Sequence, residues 1–146
     1  MGRIRVAGII KMPTGYAFMY RTGVNKGGYK EYYTFAGGGL EEGETLEEGV
    51  LREINEEFGI DVEIVKKMYD INIQKFDQKE YFFFCKYKSG KFGSGTGPEF
   101  NNDPKYIDSG KFIPKILLKE EIEDILLLPL EIKEKFVLDL KNGKFD

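Results

Sequence analysis

The chain has 146 residues, of which 41% are hydrophobic and 14% aromatic, and its formal net charge is −3. This length and composition predict one compact domain, residues 1–146, with an aromatic-rich core. The acidic balance disfavours a nucleic-acid binder, because such domains normally carry a basic stripe.

The sequence contains no histidine, which removes the usual general base and the commonest transition-metal ligand. Catalysis would therefore depend on carboxylates, with Lys, Tyr or a metal-bound water assisting. The single cysteine, Cys85, has no disulfide partner within the chain, so we expect a buried, inert thiol in a reducing compartment. No leader pattern opens the chain and the longest apolar run, Ile125 to Leu130, is too short for a membrane span. We expect a cytoplasmic protein without membrane contact.

The first 40 residues predict short strands joined by turns. A Pro-Thr-Gly turn separates the first two strands, and a polar, glycine-containing loop precedes the third. That third strand runs into three consecutive glycines. In order, these features are the strand at 4–10, the turn at 13–15, the strand at 16–20, the loop at 22–28, the strand at 32–35 and the glycines at 37–39.

A well-bounded helix follows the glycines. Thr45 and Glu48 have the spacing of a capping box at its start, and Gly59 suits the left-handed position that ends a helix. Helical periodicity predicts one apolar stripe on this helix, with Leu51 beside it. The stripe consists of Leu46, Val50, Ile54 and Phe58.

Three carboxylates, Glu53, Glu56 and Glu57, lie at the C-terminal end of this helix. The helix dipole disfavours anions there, and like charges three or four residues apart repel each other. A bound hard cation such as Mg²⁺ would reverse both penalties. Gly49 lies one turn earlier on the same face, which suggests room for a metal or phosphate near the backbone. The alternative is a solvated acidic face.

The remainder of the chain mixes strands and helices. Two lysines interrupt the first strand-like stretch, which suggests a long bent strand, and the second is apolar enough to be buried on both faces. Pro129 separates two helical stretches near the C-terminus. The predicted strands are 62–73, 81–87 and 112–118, and the predicted helices are 119–126 and 131–140. This order predicts an α/β or α+β domain.

The stretch from Ser89 to Gly110 is rich in Gly, Pro and Asn, which predicts a long loop and a substrate lid. It contains Glu99, which is either an added catalytic acid or an ordinary exposed side chain. The glycines from Gly93 to Gly97 are not a phosphate loop, because the Gly-Lys-Ser/Thr ending is missing.

Residues 38–60 resemble the Nudix box, G-x5-E-x7-R-E-U-x-E-E-x-G-U, where U is a bulky aliphatic residue. Every fixed position is filled, which makes the motif very specific. Two departures lie outside the box: Ala36 stands where the family commonly has Pro, and no Trp is present near Ile116. The fixed positions are Gly38, Glu44, Arg52, Glu53, Ile54, Glu56, Glu57, Gly59 and Ile60.

The resemblance implies an α/β/α sandwich with a central mixed sheet, the box helix on one face and one or more C-terminal helices. It also implies Mg²⁺-dependent pyrophosphohydrolysis, with Mn²⁺ as a substitute, of a nucleoside diphosphate linked to a group X. Water would attack phosphorus. The substrate would be a small-molecule nucleotide, either a nucleoside triphosphate, oxidised purines included, or an ADP-ribose-like compound.

The resemblance implies roles for individual residues as well. Glu53, Glu56 and Glu57 would bind the metal, and flexible backbone at Gly37 and Gly38 would bring a carbonyl oxygen to the same ion. The catalytic residues would be Glu53, Glu57, Glu99 and Arg52: the base is either Glu53 or Glu99, and Arg52 pairs with Glu44 and orients the carboxylates. Arg21, Gly38 and Gly39 would contact the substrate.

Two other functions remain open at this point. One is a Nudix-fold nucleotide sensor without catalysis, which would be expected to have lost box acids. The other is a Nudix-fold prenyl diphosphate isomerase, which needs an active-site cysteine. The nucleobase, the position of cleavage and the oligomeric state, a homodimer included, are also open.

Overall fold

The computed structural model of the protein describes residues 2–23, 28–96 and 110–146. Within these ranges strands and helices are mixed along the chain, as the sequence predicts. They are β1 (Arg3–Lys11), β2 (Tyr16–Thr22), β3 (Glu31–Thr34), β4 (Ala36–Gly39), α1 (Leu46–Phe58), β5 (Ile60–Ile73), β6 (Gln78–Gly90), β7 (Phe112–Leu117), β8 (Leu127–Leu128) and α2 (Leu130–Lys141), with short 3₁₀ helices at Gln74–Phe76 and Lys119–Asp124.

Strand β1 is the organising strand of a mixed sheet. It runs parallel to β6 along its whole length, from the Arg3–Gln78 pair to the Lys11–Lys86 pair. Its other edge is divided: residues 5–8 pair antiparallel with β4, and Ile10 and Lys11 pair antiparallel with β2. The division places the three glycines of β4 directly against the start of β1.

The remaining strands extend the sheet on both sides. Strand β5 pairs antiparallel with β6 through three register shifts, so the predicted long bent strand is confirmed. Strand β2 pairs antiparallel with β3 and β7, and β3 pairs in parallel with β8. Both parallel and antiparallel pairs are therefore present, as expected for a mixed sheet.

The two helices cover opposite faces of this sheet. Successive residues of a strand point to opposite faces, and Val6 of β1 packs in one cluster with Ile54 of α1. Ala7, the next residue, packs in a second cluster with Phe136 of α2. The predicted α/β/α sandwich is confirmed.

The helical stretch predicted at 119–126 is shorter in the structure and is not an α-helix. Lys119–Asp124 forms a 3₁₀ helix, and Leu127–Leu128 forms β8. The backbone N–H of Tyr33 donates to the carbonyl of Leu126 at 2.7 Å, and Leu127 is fully buried. Leu127 and Leu128 pair with β3, so the chain is extended here and the helical stretch ends before them.

The apolar stretch predicted at 81–87 lies within β6, and its centre, residues 82–85, is buried. Cys85 is fully buried there, and burial raises the pKa of its thiol to about 12, so the expected inert thiol is confirmed. In the described ranges, neither helix is long and apolar enough to cross a membrane.

Candidate active site

Both predicted ends of the box helix α1 are confirmed. The backbone N–H of Glu48 donates to the Thr45 hydroxyl at 3.1 Å, and the Glu48 carboxylate accepts from the Thr45 N–H at 2.9 Å. Gly59 ends the helix with a left-handed φ of 73°, and its N–H donates to the Asn55 carbonyl. The caps set the helix position along the chain and therefore the position of the three carboxylates.

The apolar stripe is also confirmed, and its first member, Leu46, is partly buried against the same cluster. Val50, Ile54 and Phe58 are completely buried against the sheet, whereas Leu51 is 41% exposed. A helix turns by about 100° per residue, so Leu51 lies one step around from Val50, away from the sheet. Leu51 therefore lies beside the buried stripe, as expected.

Gly49 allows close packing of α1 and does not leave room for a ligand. A Cβ atom at this position would lie 2.6 Å from Cδ1 of Leu40 and 3.2 Å from Cγ2 of Val6. The missing side chain thus allows α1 to approach the start of β1 and the segment after β4. The interpretation of Gly49 as room for a metal or phosphate is not supported by these contacts.

The three consecutive glycines form part of a regular strand, β4. Gly37, Gly38 and Gly39 pair with Ala7, Val6 and Arg5 in β4, so the expected flexible backbone at Gly37 and Gly38 is instead an ordered strand. A Cβ at Gly37 would lie 2.3 Å from the Val6 carbonyl oxygen. Here the glycine is needed for close backbone approach.

Gly38 borders Glu53. A Cβ atom at Gly38 would lie 2.6–2.7 Å from the carboxylate carbon and both carboxylate oxygens of Glu53. The carboxylate therefore lies directly over the strand backbone. This contact explains why the box combines a small residue at position 38 with an acid fifteen residues later.

Arg52 holds the acidic cluster together. Its Nε and Nη2 donate to the two oxygens of Glu44 at 2.7 and 3.0 Å, which confirms the predicted pair. Its Nη1 donates to Glu53 at 2.9 Å and to Glu56 at 3.2 Å, and Nη2 also reaches the Gly39 carbonyl at 3.1 Å. These bonds lower the pKa of the Glu44 carboxyl and raise that of the Arg52 guanidinium.

Glu53 and Glu57 differ in their environments. Burial raises the pKa of the Glu53 carboxyl above its ordinary value, although the bond from Arg52 opposes the shift. Glu57 accepts a hydrogen bond of 2.6 Å from the Gly37 N–H, which joins the end of α1 to β4. One helical turn therefore presents a desolvated carboxylate and a carboxylate held by the backbone.

The chemistry of this donor set fits a hard cation, because Mg²⁺ is held by carboxylate and carbonyl oxygens. Glu53 and Glu56 share one nitrogen of Arg52, which places their carboxylates side by side. In the described ranges, no three acidic side chains converge on one point as metal ligands. Glu53 and Glu56 face Arg52 and Glu57 faces Gly37, so binding one ion would require their side chains to rotate.

A cavity of about 270 Å³ lies beside the cluster. Gly37 and Glu57 belong to both the cluster and the cavity wall, and Arg21 lines the same cavity. The Arg21 guanidinium lies 3.6 Å from the ring centre of Phe112, a cation–π contact that orients it. The remaining lining residues are Arg5, Ala7, Thr34, Phe35, Ile73, Glu80, Phe82, Leu128 and Pro129.

Two charged residues of this cavity were missed from the sequence. Arg5 lies on β1 and Glu80 on β6, and Arg5 Nε donates to Glu80 Oε2 at 3.2 Å. A signal exists in β6, where Glu80 precedes Phe82 and Phe84 in strict alternation and so must share their buried face. An acid at an apolar position of a strand predicts a buried charged group, and buried polar residues often mark functional sites.

Glu99, the second candidate base, lies outside the described residues, so its role stays a prediction. The described start of its loop packs on the end of α1: the Gly93 N–H donates to the Phe58 carbonyl at 2.9 Å, and the Phe92 and Phe58 rings are 4.9 Å apart.

Comparison with known proteins is consistent with this geometry. A family model described as the NUDIX domain matches residues 2–128. No curated protein matches the chain. Among solved structures, a NUDIX hydrolase from Nitrosomonas europaea is similar at a TM-score of 0.72 and 21% identity, covering 97% of this chain and 73% of that one.

Two further solved structures show the same fold. The MutT protein from Methanosarcina mazei Go1 has a TM-score of 0.66 and 19% identity, with 97% of this chain and 95% of that one covered. An ADP-ribose pyrophosphatase from Streptococcus suis 89-1591 has a TM-score of 0.66 and 16% identity, with 98% and 92% covered.

Proposed function

Since the chain belongs to the NUDIX domain family, whose members hydrolyse diphosphate bonds, we propose that it is a Mg²⁺-dependent pyrophosphohydrolase. Its substrate is a nucleoside diphosphate linked to a further group, such as a nucleoside triphosphate or an ADP-ribose-like compound. Water attacks phosphorus and a phosphoric anhydride bond breaks.

The observation that carries this proposal is the shared wall between the acidic cluster and the cavity. Glu57 belongs to both, and Arg21 lines the same cavity. An anionic chain held beside Glu57 would meet the Arg21 guanidinium, which suits phosphate oxygens. Carboxylates for a metal next to a cation for phosphates fit the requirements of phosphoryl chemistry.

Glu53, Glu56 and Glu57 would hold the metal ion, and Mn²⁺ would substitute for Mg²⁺. The ion would neutralise phosphate charge and lower the pKa of a bound water. Arg52 would keep Glu53 and Glu56 side by side, because it already donates to both. It acts through these carboxylates and is therefore a positioning residue.

A carboxylate must accept the proton of the attacking water, because the chain has no histidine. Glu53 is the first candidate base, as an alternative to its role as a metal ligand; in the metal-free protein, burial raises the pKa of its carboxyl. Glu99 is the second candidate base. The two assignments predict different effects of substitution on metal affinity.

The contacts disfavour the isomerase alternative. Such an enzyme needs a reactive cysteine, whereas Cys85 is fully buried, with a pKa raised to about 12. A sensor that had abandoned catalysis would not need every acid of the box. RNA 5′-pyrophosphohydrolysis is less favoured by the net charge of −3.

The test is a hydrolysis screen over nucleoside triphosphates and ADP-ribose-like compounds with Mg²⁺ in ¹⁸O-labelled water. We expect a nucleoside monophosphate among the products and one ¹⁸O atom in a phosphate-bearing product by mass spectrometry. The Glu57→Gln variant should lose activity. Glu47→Gln, an exposed acid in the first turn of α1, is the matched control and should retain it. Absence of turnover on every compound would refute the proposal.

A further inference from the structure

We infer that Arg5 and Glu80 form the base-reading pair of the cavity and that they select a guanine-type base. The inference rests on the proposed function, because it names the substrate class of the same site. It concerns two residues outside the box.

Glu80 is an unusual acid for its position. Its exposed fraction is 8%, and it is the one charged residue in the described part of the chain that is classed as buried. Its side chain has a single hydrogen bond to other described residues, the 3.2 Å bond from Arg5 Nε to Oε2. Burial of a carboxylate is costly unless its oxygens are satisfied, and Oε1 still has acceptor capacity.

The sheet holds this pair in place. Arg5 and Glu80 are direct partners in the parallel β1–β6 ladder, and Arg5 is also the antiparallel partner of Gly39 in β4. Both side chains line the cavity that Glu57 and Gly37 also line. The pair is thus presented from paired strands, which positions a recognition site more precisely than a loop would.

The free hydrogen-bonding groups match the edge of guanine better than the edges of the other two purine bases, adenine and hypoxanthine. The Arg5 guanidinium has further N–H donors, and the Glu80 carboxylate accepts through up to four lone pairs. Guanine offers an acceptor, O6, followed by two adjacent donors, N1–H and N2–H₂. Adenine offers one donor and one acceptor, and hypoxanthine lacks the second donor, so both leave part of the carboxylate unsatisfied.

The volume and the apolar walls of the cavity suit a single nucleobase. Its volume of about 270 Å³ lies just below the roughly 300–1,000 Å³ of pockets for drug-sized ligands. Phe35, Phe82, Leu128 and Pro129 supply apolar walls. A flat base would fit there while its phosphates extend toward Glu57 and the acidic cluster.

The experiment compares GTP, ITP and ATP as substrates of the wild type and of Glu80→Gln. One well-placed bidentate contact discriminates bases by about tenfold or more. We expect the wild-type kcat/KM for GTP to exceed that for ITP by at least that factor. In Glu80→Gln the GTP value should fall about tenfold or more and the GTP/ITP ratio should approach one. Asp70→Asn removes the exposed Asp70–Lys79 pair of the neighbouring strands and should keep the wild-type ratio.

A second readout is independent of turnover: calorimetric binding of GMP and IMP with Mg²⁺. Stronger GMP binding that Glu80→Gln abolishes supports the inference even if no nucleotide is hydrolysed, in which case only the proposed function fails. Hydrolysis without a GTP preference, or a preference that survives Glu80→Gln, overturns the inference alone. If Glu80→Gln does not fold, the double variant Arg5→Met/Glu80→Leu replaces the pair with apolar groups and must also lose the preference.

Discussion

Gly38 and Glu53 lie so close that a Cβ atom on residue 38 would be 2.6 Å from Oε1 of Glu53. The glycine lies on β4 and the acid near the end of α1, so this contact couples the strand to the helix. The carboxylate occupies the volume that any other residue at position 38 would require. The box therefore encodes a steric relationship as well as a set of ligands.

Gly38→Ala should displace the Glu53 carboxylate and reduce kcat by about tenfold or more, on the scale of misplacing a catalytic group by an ångström. The free energy of unfolding should change by less than about 1 kcal/mol, because a flexible carboxylate can swing toward solvent. Gly43→Asn is the control: it lies in the same box segment, its φ of 81° suits Asn, and an added Cβ there meets nothing within 4 Å. Wild-type turnover in Gly38→Ala would show that the Glu53 position is unimportant.

Glu57 has two roles that a pair of substitutions separates. Glu57→Gln should reduce turnover by at least about 10²-fold. Its amide oxygen can still accept from the Gly37 N–H, so the stability of the metal-free protein should be unchanged or slightly raised. Glu57→Ala should lose the same activity and also about 1 kcal/mol of stability, since the N–H loses its partner. Denaturant unfolding in EDTA measures the difference, and equal stabilities would exclude the structural role.

Glu56→Gln should resemble Glu57→Gln in turnover, with a loss of at least about 10²-fold. Its effect on metal-free stability should be small, because Glu56 makes one bond to an Arg52 that also binds Glu44 and Glu53. A loss above about 1 kcal/mol would instead identify Glu56 as a structural partner of Arg52.

The raised pKa of Glu53 predicts a pH dependence with a definite sign. A carboxyl whose folded pKa lies above its unfolded value stabilises the fold below the unfolded pKa, and this contribution is lost as pH rises through the folded pKa. In metal-free protein, Glu53→Gln should therefore gain stability relative to the wild type as pH rises above the ordinary pKa of Glu, about 4.3. Thermal unfolding of both proteins over a series of pH values measures this stability gap. A gap that narrows with rising pH would mean that Arg52, rather than burial, dominates the Glu53 environment.

The local features of the box were predictable because each has a short-range physical cause. Thr45 and Glu48 cap the helix, Gly59 ends it, and Arg52 reaches Glu44 across two turns. The functions of Gly49 and Gly37 were not predictable, because both depend on contacts with β1, far away in the chain. Periodicity reports which face is buried and is silent on what covers it.

The cavity illustrates the same limit. Arg5 and Glu80 are 75 residues apart and meet only because β1 and β6 pair in parallel. The register of non-local strands is not encoded in either segment alone. Strand β8 was missed for a related reason, since two leucines form a strand only where β3 offers its edge.

The role of Glu99, as a catalytic base or as a metal ligand, is a prediction that substitution can test. If it is the base, Glu99→Gln should lower kcat while leaving Mg²⁺ affinity within a few-fold; if it is a ligand, metal affinity should fall as well. Titrating Mg²⁺ against initial rates separates the two. Wild-type rates on every nucleotide would leave Glu53 as the sole candidate base.

The most direct test of the account is the dependence of nucleotide hydrolysis on divalent metal. We expect no turnover in excess EDTA, full recovery on adding Mg²⁺ or Mn²⁺, and a rate that rises toward alkaline pH, because a metal-bound water must lose its proton and no histidine assists at neutral pH. Glu57→Gln should not recover at any Mg²⁺ concentration that restores the wild type. Undiminished hydrolysis by the wild type in EDTA would contradict the assignment of the three carboxylates as metal ligands.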